Sequence, residues 1–234
     1  MSSLFIILQY LLPKHLFSRL VGKFAKSRFL RKPLIRIFIK RYKVNMSDAK
    51  IQDIDKFENF NAFFTRELLP DARTISDSPG AIVCPADGSI SQLGYITDGQ
   101  LLQAKGRHYN CETLLAGDTG MASLFNEGKF ATIYLSPKDY HRVHMPLAGT
   151  LLKTIYVPGD LFSVNQTTAD SVPDLFARNE RLVCLFETEI GPMAVILVGA
   201  MIVAGIDTVW AGEVCPKQGK REIQETDYAD HAPA

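Results

Sequence analysis

Residues 182–200, LVCLFETEIGPMAVILVGA, contain two apolar runs on either side of a short polar break. Runs of this length that are rich in Val, Ile and Leu are typical of β-strands buried in a sheet. The break contains Gly191-Pro192, a pair that favours a tight turn. The stretch therefore predicts a β-hairpin that closes near Gly191-Pro192.

The residues around this hairpin continue the same pattern. Short apolar runs separated by Gly, Pro, Asn and Asp predict strands at 81–84, 89–96, 130–135, 149–157, 181–188 and 193–210. The other predicted segments are helices at 57–69, 110–116 and 120–126, a linker at 70–80 and an acidic, unstructured tail at 221–234. Because long helical crossovers between the strands are missing, we expect them to pair antiparallel. The predicted fold class is α+β with a mainly antiparallel β-sheet.

The N-terminal region differs from the rest of the chain in charge. Residues 1–43 contain eleven Lys and Arg and no Asp or Glu, whereas the remaining residues contain fifteen Lys and Arg against twenty-five Asp and Glu. A basic block of this kind is typical of proteins that bind a polyanionic surface, either nucleic acid or an anionic bilayer.

The spacing of the apolar residues favours the bilayer. Within residues 16–30, apolar side chains recur at three- and four-residue intervals on one side of a helix, and Arg19, Lys23 and Lys26 fall on the other. A second amphipathic basic helix begins after Pro33. Large apolar side chains opposite Lys and Arg suit a helix in the headgroup region, so we predict membrane contact and no nucleic acid partner. The alternative is a helical hairpin packed on the body of its own protein.

A short apolar segment, residues 4–12, precedes these helices and is too short to span a bilayer. A secretory signal peptide would need positive charge before the segment and a small-residue cleavage site after it, but residues 1–3 carry no Lys or Arg and Pro13-Lys14-His15 follows. We therefore predict an interfacial segment. The chain is divided into residues 1–47, amphipathic basic helices for membrane attachment, and residues 48–234, a β-rich domain.

Composition and cysteine spacing define the general class of protein. The chain is 47% hydrophobic and 22% charged, which indicates a folded domain rather than a disordered chain. Cys84, Cys111, Cys184 and Cys215 are widely separated and show no paired metal spacing. We predict reduced, mostly buried thiols and a cytosolic compartment.

Two sequence motifs contain candidate functional residues. The segment YLSPKDYHRVHMP at 134–146 holds His141 and His144, which fit structural histidines bonded to backbone carbonyls or acid–base catalysts that titrate near neutrality. A metal site is disfavoured, because His-x-x-His in a strand points the two rings to opposite faces and no third ligand is nearby. The segment PADGSISQLG at 85–94 holds Asp87, which fits either a simple Asp-Gly turn or a carboxylate that orients a distant histidine.

Taken together, these motifs resemble the bacterial, membrane-associated, pyruvoyl-dependent phosphatidylserine decarboxylases. The similarity extends over LQYLLPKH at 8–15, FNAFFTREL at 60–68, PADGSISQLG at 85–94, QAKGRHYN at 103–110, YLSPKDYHRVHMP at 134–146, YVPGDLFSVN at 156–165, LFARNERLVCLFET at 175–188, GPMAVILVGA at 191–200 and TVWAGE at 208–213. The combination of YHRVHMP with PADG carries the resemblance, since either fragment alone is a weak signal.

The resemblance implies roles for three residues. Asp87 and His144 match the aspartate and histidine that drive self-processing in the family, His144 as the base and Asp87 as the group that orients it and stabilises its charged form. His144 is also the expected proton donor after decarboxylation, and His141 is a supporting residue. No metal is expected, and residues 48–234 are interpreted as the catalytic domain.

The third residue in the family is a serine in a Leu-Gly-Ser-Thr motif, which self-cleaves into a pyruvoyl group that forms a Schiff base with the substrate amine. The only Leu-Gly here, Leu93-Gly94, is followed by Tyr95. The pyruvoyl group is therefore expected from a serine beyond Ala234, and no cofactor-binding residue is predicted in this chain. The chain is interpreted as the large-chain portion of a precursor, C-terminally incomplete and inactive as it stands.

The implied partners follow from the same resemblance. They are the anionic membrane lipid phosphatidylserine as substrate, the small pyruvoyl-bearing chain from the same precursor, and a second copy in a homodimer. The expected location is the cytoplasmic side of the cell membrane, with peripheral attachment. Two other functions stay open: a non-catalytic membrane-binding or lipid-carrying module, and a Ser/His hydrolase with Ser136 or Ser163 as nucleophile, although no Gly-x-Ser-x-Gly elbow is present.

Overall fold

The computed structural model describes residues 2–214 and 222–228 of the chain. The helices in these residues are α1 (Ser2–Leu11), α2 (Lys14–Lys26), α3 (Arg31–Tyr42), α4 (Phe60–Phe64), α5 (Cys111–Leu114), α6 (Thr119–Ser123), α7 (Gln166–Ala169) and α8 (Leu175–Arg178). The strands are β1 (Ser89–Tyr95), β2 (Gln100–Ala104), β3 (Arg107–Asn110), β4 (Lys129–Tyr134), β5 (Gly149–Val157), β6 (Arg181–Thr188), β7 (Gly191–Val198), β8 (Ile206–Thr208), β9 (Gly212–Val214) and β10 (Gln224–Asp227). The mixture of helices and antiparallel strands confirms the α+β class.

The chain divides into two compact units. The first unit comprises Met1–Arg19, Gln92–Thr132 and Gly149–Ala234, and the second comprises Leu20–Ser91 and Ile133–Ala148. Each unit has its own apolar core. The predicted division at residue 47 concerns membrane attachment and stays a prediction.

The main sheet of the first unit has four strands in the order β10-β5-β6-β7, and every neighbouring pair is antiparallel. The predicted hairpin is the pair β6 and β7, joined by a two-residue turn that ends at Gly191. Smaller two-stranded sheets pair β1 with β4, β2 with β3, and β8 with β9. Residues 181–186 of β6 are buried, so this strand lies at the centre of the first core.

Arg181 begins β6 and is buried among backbone carbonyls. Its guanidinium donates to the carbonyls of Leu114 (2.7 Å), Thr113 (2.6 Å), Ala177 (2.5 Å) and Asn179 (3.1 Å). Burial lowers the pKa of Arg181 to about 10, so the group is still charged at neutral pH. These bonds fix the ends of α5 and α8 against the sheet, because a buried guanidinium must place its donors on acceptors.

Helix α1 packs on the first unit through a polar side chain. Gln9 is 1% exposed, donates from Nε2 to Thr168 Oγ1 (3.2 Å), and accepts from the Ser163 amide at Oε1 (2.8 Å). Among the apolar side chains of the same helix, Leu4 is 63% and Leu11 75% exposed, whereas Ile6 packs against the first core and the Tyr10 ring lies edge-on to Phe162. The N-terminal segment therefore packs on its own protein and exposes an apolar face at the same time.

Within the described residues, no single helix has the length and apolar character needed to cross a membrane. Leu4–Leu11 and Lys14–Lys26 meet that criterion only as a pair, which is bent by 86° at the break between them.

The core of the second unit is smaller and largely aromatic. Ile35 of α3 and Phe63 of α4 are fully buried, together with Val44 and Phe57. The ring of Phe38 packs edge-on against Phe60, Phe63 and Phe64. The arrangement holds α4, which contains the FNAFFTREL motif, against α3.

Several sequence predictions differ from the structure. The helix predicted at 57–69 is shortened to α4, because the backbone of residues 67–69 bonds to Asp48 and Lys50 instead. The strand predicted at 81–84 is absent, and the long strand at 193–210 is divided into β7 and β8. The tail predicted to be unstructured contains β10, which pairs with β5.

Burial of the cysteines agrees with the prediction. Cys111 and Cys184 are buried free thiols, and burial raises the pKa of Cys184 to about 12. Cys84 is exposed, so two of the three described cysteines are buried, as the prediction of mostly buried thiols requires. Cys215 lies outside the described residues.

Candidate active site

Two backbone hydrogen bonds bring the predicted site residues onto neighbouring segments of the second unit. The amide of Val83 donates to the carbonyl of Pro146 (3.0 Å), and the amide of His144 donates to the carbonyl of Pro85 (2.8 Å). These bonds hold the PADG segment against the end of the YHRVHMP segment. The structure therefore places the backbone segment that contains Asp87 next to the backbone at His144. The sequence spacing alone did not establish this contact.

The glycine after Asp87 is required by this packing. A Cβ atom at Gly88 would lie 2.5 Å from the carbonyl oxygen of Tyr134, which is closer than non-bonded atoms can approach. A residue with a side chain would push the PADG segment away from the chain at Tyr134. The Asp87-Gly88 pair is thus a site of close backbone approach.

The carboxylate of Asp87 is held by Arg73. Arg73 Nε donates to Asp87 Oδ1 (2.9 Å) and Arg73 Nη2 to Asp87 Oδ2 (2.6 Å), a two-pronged geometry that guanidinium and carboxylate groups favour. Arg73 Nη1 donates to Asp48 Oδ2 (2.9 Å). The bond from Arg73 lowers the pKa of Asp48, and the bond to Asp87 raises the pKa of Arg73. Arg73 therefore bridges two carboxylates and fixes the direction of Asp87.

The ring of His144 is held by Tyr140. The Tyr140 hydroxyl and His144 Nε2 are 3.0 Å apart, and the two rings stack with their centroids 5.6 Å apart. Tyr140 is buried, and burial raises its pKa, so the phenol stays protonated at neutral pH. His144 itself is exposed. The imidazole is thus oriented on one side and accessible on the other.

His141 has a different environment. Its Nδ1 lies 2.9 Å from the carbonyl oxygen of Asp139, and its ring packs on Phe64 with centroids 4.0 Å apart. Burial lowers the pKa of His141, so the ring is neutral at neutral pH. Because a carbonyl oxygen can only accept, Nδ1 carries the proton and Nε2 is the basic nitrogen. His141 therefore matches the structural interpretation by its contacts, while its supporting role stays a prediction.

Arg66 adds a buried positive charge to the same cluster. It is 5% exposed, its Nε has no hydrogen-bond partner among the described residues, and its guanidinium lies over the ring of Phe63 at 5.6 Å. Burial lowers the pKa of Arg66, and the nearby Asp87 carboxylate raises it. The negative charge of Asp87 therefore helps to keep this buried cation in place.

No hydrogen bond or ion pair joins the Asp87 carboxylate to the His144 ring among the residues that the structure describes. Asp87 faces Arg73, and His144 faces Tyr140. A carboxylate, an imidazole and a phenol in one small cluster can hold and transfer protons. The predicted roles of Asp87, His144 and His141 stay predictions.

Two alternative kinds of site were weighed from the sequence. No cluster of three metal-ligating side chains occurs in the part of the chain that the structure describes. Residues 139–145 form no strand, so the expectation that His141 and His144 point to opposite faces of a strand does not apply to them. Ser136 Oγ bonds to the Asp139 carboxylate (2.7 Å) within a local turn. It is not paired with a histidine in the described residues, so a Ser/His nucleophile has no support at this position.

Sequence reasoning missed three residues of the cluster. Tyr140 lies inside YHRVHMP, four residues before His144, so its place in the same motif was the available signal. Arg66 lies in FNAFFTREL, where a charged residue two positions after an aromatic run could have indicated a buried cation. Arg73 lies in the stretch interpreted as a linker, and nothing in that stretch points to an ion pair with Asp87.

Comparison with known proteins supplies the family. The family model described as phosphatidylserine decarboxylase matches residues 60–227, and one described as PSD matches residues 4–43. The phosphatidylserine decarboxylase proenzyme of Pseudomonas putida strain GB-1 is 61% identical over 234 residues, which cover 99% of this chain and 82% of the relative. The proenzyme of Ectopseudomonas mendocina is 62% identical over 227 residues (96% and 79%). That of Pseudomonas aeruginosa strain PAO1 is 60% identical over 233 residues (99% and 80%).

The fold is α+β, and the cluster places Asp87, His144 and Tyr140 together in one of the two compact units. The chain belongs to the phosphatidylserine decarboxylase family, a family of carboxy-lyases. The resemblance inferred from the motifs is confirmed.

Proposed function

We propose that this chain forms part of an enzyme that converts phosphatidylserine to phosphatidylethanolamine and carbon dioxide. The observation that carries the proposal is the adjacency of the Asp87 and His144 segments within the region that matches the family. A decarboxylation of this kind needs a group that returns a proton to the carbon that lost the carboxylate. The accessible imidazole of His144 is suited to that task.

We further propose a pyruvoyl group as the prosthetic group, made by self-cleavage of a proenzyme at a serine. When bound, it supplies the electron sink that ordinary side chains lack. The residues present fit such a group. The His144 ring is exposed and oriented from one side by Tyr140, so its other side can face a group carried by the small pyruvoyl-bearing chain.

His144 serves two proton-transfer steps in this proposal. As a base, it takes the proton of the serine hydroxyl during self-cleavage, and as an acid it delivers a proton after carbon dioxide leaves. Asp87 stabilises the charged imidazolium through its negative charge. Because Asp87 is bonded to Arg73, this influence either acts through space or requires the Arg73 bond to open.

The test of His144 uses the full-length precursor. His144→Ala should leave the precursor as a single band on a denaturing gel, with no small chain detectable by mass. His108→Ala is the matched control, because His108 is exposed on β3 and belongs to the first unit. Normal cleavage of a folded His144→Ala protein would overturn the assignment.

The test of Asp87 must separate catalysis from its ion pair. Asp87→Asn should slow cleavage strongly, since neutralising the aspartate of a catalytic triad costs about 10⁴-fold. Arg73→Met breaks the same ion pair and leaves the carboxylate in place. Equal cleavage rates in the two variants would show that Asp87 only anchors Arg73.

His141 is proposed to position the loop that carries His144. Its bond to the Asp139 carbonyl and its packing on Phe64 fix this loop against α4. His141→Gln, which retains a donor, should process faster than His141→Phe, which retains only the packing. Equal processing by these two variants would exclude a role for the Nδ1 bond.

We also propose that residues 1–47 attach the protein peripherally to the cytoplasmic side of the cell membrane. The exposed apolar side chains of α1 and the basic residues of α2 and α3 support the proposal. Vesicle binding should weaken with salt, because surface attraction between charges is screened. Side-chain replacements are preferable to deletion, since deletion would remove Gln9 from its buried position. Salt-independent binding would contradict the electrostatic part of the proposal.

A homodimer is proposed from the family resemblance alone. Light scattering of the processed protein at several concentrations would test it. A mass of one precursor equivalent at all concentrations would exclude the dimer.

A further inference from the structure

An open cavity of about 750 Å³ lies in the first unit at the bend between α1 and α2. One wall is formed by the chain from Tyr10 to Arg19, and the opposite wall by Pro158–Asp160 and Arg178. None of the lining residues belongs to the candidate active site. The cavity therefore requires its own explanation.

The lining is rich in positive charge. Lys14, Arg19 and Arg178 line the cavity, and Asp160 is the acidic residue among its lining residues. Asp160 is shared between Lys14 (3.2 Å) and Arg178 (3.3 Å). Arg19 is exposed and makes no hydrogen bond or salt bridge in the described chain. Glu180 lies outside the lining, but its carboxylate interacts electrostatically with His15 and Arg19. The lining itself thus carries Lys14, Arg19 and Arg178 against the single carboxylate of Asp160.

The cavity is a constructed site rather than a gap between loose side chains. The Lys14 ammonium is buried, donates to the Gln9 carbonyl (3.1 Å), and lies 3.8 Å from the centre of the Phe162 ring. His15 bonds to the carbonyl of Gly159 (2.9 Å), and this bond joins the two walls of the cavity. A Cβ atom at Gly159 would lie 2.4 Å from the Arg178 carbonyl oxygen, so the two segments that form this second wall are in close backbone contact.

The rim of the cavity is apolar. Leu12 and Leu16 line the opening and are 43% and 56% exposed. Leu8 and Leu11 continue this apolar surface along α1, and Phe17 continues it along α2. A soluble phosphate compound or a nucleic acid offers no hydrocarbon that could pack on the exposed leucines around this cationic cavity. A lipid carries its phosphate next to hydrocarbon chains and can contact both surfaces.

We propose that this cavity binds the headgroup phosphate of an anionic membrane phospholipid, with Arg19 and Arg178 as the phosphate-binding side chains and Leu12 and Leu16 against its acyl region. Guanidinium groups match the planar, two-oxygen edge of a phosphate better than ammonium groups do. The inference rests on the proposed membrane attachment and names one lipid site within it. In this proposal the bend between α1 and α2 has a function, because it places the wall that carries Arg19 opposite the wall that carries Arg178.

The experiment measures co-sedimentation of the whole chain with phosphatidylcholine vesicles, with and without one fifth phosphatidylglycerol. Arg19→Gln/Arg178→Gln is compared with Lys23→Gln/Arg36→Gln, a control that removes two exposed positive charges outside the cavity. At low salt both variants should lose affinity to a similar degree, by about fivefold for each charge.

At about 0.5 M salt the two variants should differ, because the screening length falls to a few ångströms and only charges in direct contact with a phosphate retain their effect. The parent and the control variant should then keep their preference for phosphatidylglycerol, and the cavity variant should lose it by about tenfold or more. Equal preference in all three proteins at high salt would overturn the proposal.

Two further arms separate the other outcomes. Inorganic phosphate or single-stranded RNA that displaces the parent from vesicles at high salt would identify a general phosphate or nucleic acid site and would also overturn the proposal. A parent that binds no vesicle at any salt would refute the membrane attachment itself. Arg19→Gln alone keeps the test valid if Arg178→Gln perturbs folding, because Arg19 is exposed and makes no bond within the described chain.

Discussion

Helix α1 and strand β6 belong to the same unit and are both rich in Leu and other large apolar residues, yet they bury opposite kinds of side chain. In β6, Leu182 and Val183 are 1% and 0% exposed. In α1, the buried residue is Gln9, while Leu11 is 75% exposed. A strand must pair its backbone with neighbours, so β6 is enclosed by β5 and β7. A helix satisfies its backbone internally, so its apolar side chains can face any surroundings, including lipid.

The largest expected effect concerns the buried side of this comparison. Leu182→Ala should lower the free energy of unfolding by about 2–5 kcal/mol, because it removes a methyl-rich side chain from a closed core and leaves a cavity. Chemical denaturation would measure it. A loss below about 1 kcal/mol would show that β6 is not the packed centre of the unit.

A smaller loss is expected for the polar contact of α1. Gln9→Leu makes the helix more hydrophobic and should still destabilise the protein by about 1–3 kcal/mol, since the buried Ser163 amide loses its acceptor. Gln52→Leu, the same change at an exposed position, is the control and should be near neutral. A stabilised Gln9→Leu protein would show that α1 is held by apolar packing after all.

Replacing an exposed side chain of α1 should weaken vesicle binding and leave the stability in water almost unchanged. Leu11→Ala should change stability in water by less than about 0.5 kcal/mol. It should weaken vesicle binding by about 1 kcal/mol, or about fivefold, because half-buried methylene groups are lost from the interface. Vesicle titration and denaturation of one preparation test both halves. A large loss of stability in water would place Leu11 in a protein core.

The smallest expected effect concerns Glu180, the residue directly before β6. Burial raises the pKa of Glu180 above its usual 4.5, although a hydrogen bond with Tyr156 and the charges of His15 and Arg19 oppose the shift. The ionised carboxylate therefore costs stability at neutral pH, and this cost disappears as the pH falls through the raised pKa.

Glu180→Gln should consequently be more stable than the parent near neutral pH, and the advantage should shrink towards pH 4.5. Thermal unfolding of both proteins across that range measures the difference. An advantage that grows at acid pH would show that the carboxylate is stabilised in the folded state by His15 and Arg19.

The parts of the fold that sequence predicted best depend on local patterns. The β6–β7 hairpin was predictable because two apolar runs and a turn are adjacent in the chain. Strand β2 was missed because Gln103 is a polar residue in a buried position. Its amide donates to the Ala169 and Val172 carbonyls (2.7 and 2.8 Å) and accepts from the Leu175 amide (2.8 Å). No local pattern reports partners some seventy residues away.

The candidate site shows the same division. Motif resemblance supplied Asp87, His141 and His144, whereas the side chains that hold them come from elsewhere in the fold. Arg73 binds Asp87 because the segment after residue 70 returns to Asp48, and this path is set by the backbone bonds between residues 48–50 and 67–69. Tyr140 was within reach of sequence reasoning, but its bond to His144 depends on the non-helical path of that loop.

Strand β10 has a consequence for how the sheet assembles. It pairs Gln224 with Tyr156 and Asp227 with Lys153, so the chain must close a loop of about 70 residues, whereas β6 and β7 close a two-residue turn. Loop-closure entropy delays long-range pairing, so the hairpin should form early and β10 should join the sheet last. In the folded protein, local opening of the strands should follow the reverse order. The backbone amides of β10 should exchange with solvent first, and those of β6 only when the whole unit opens.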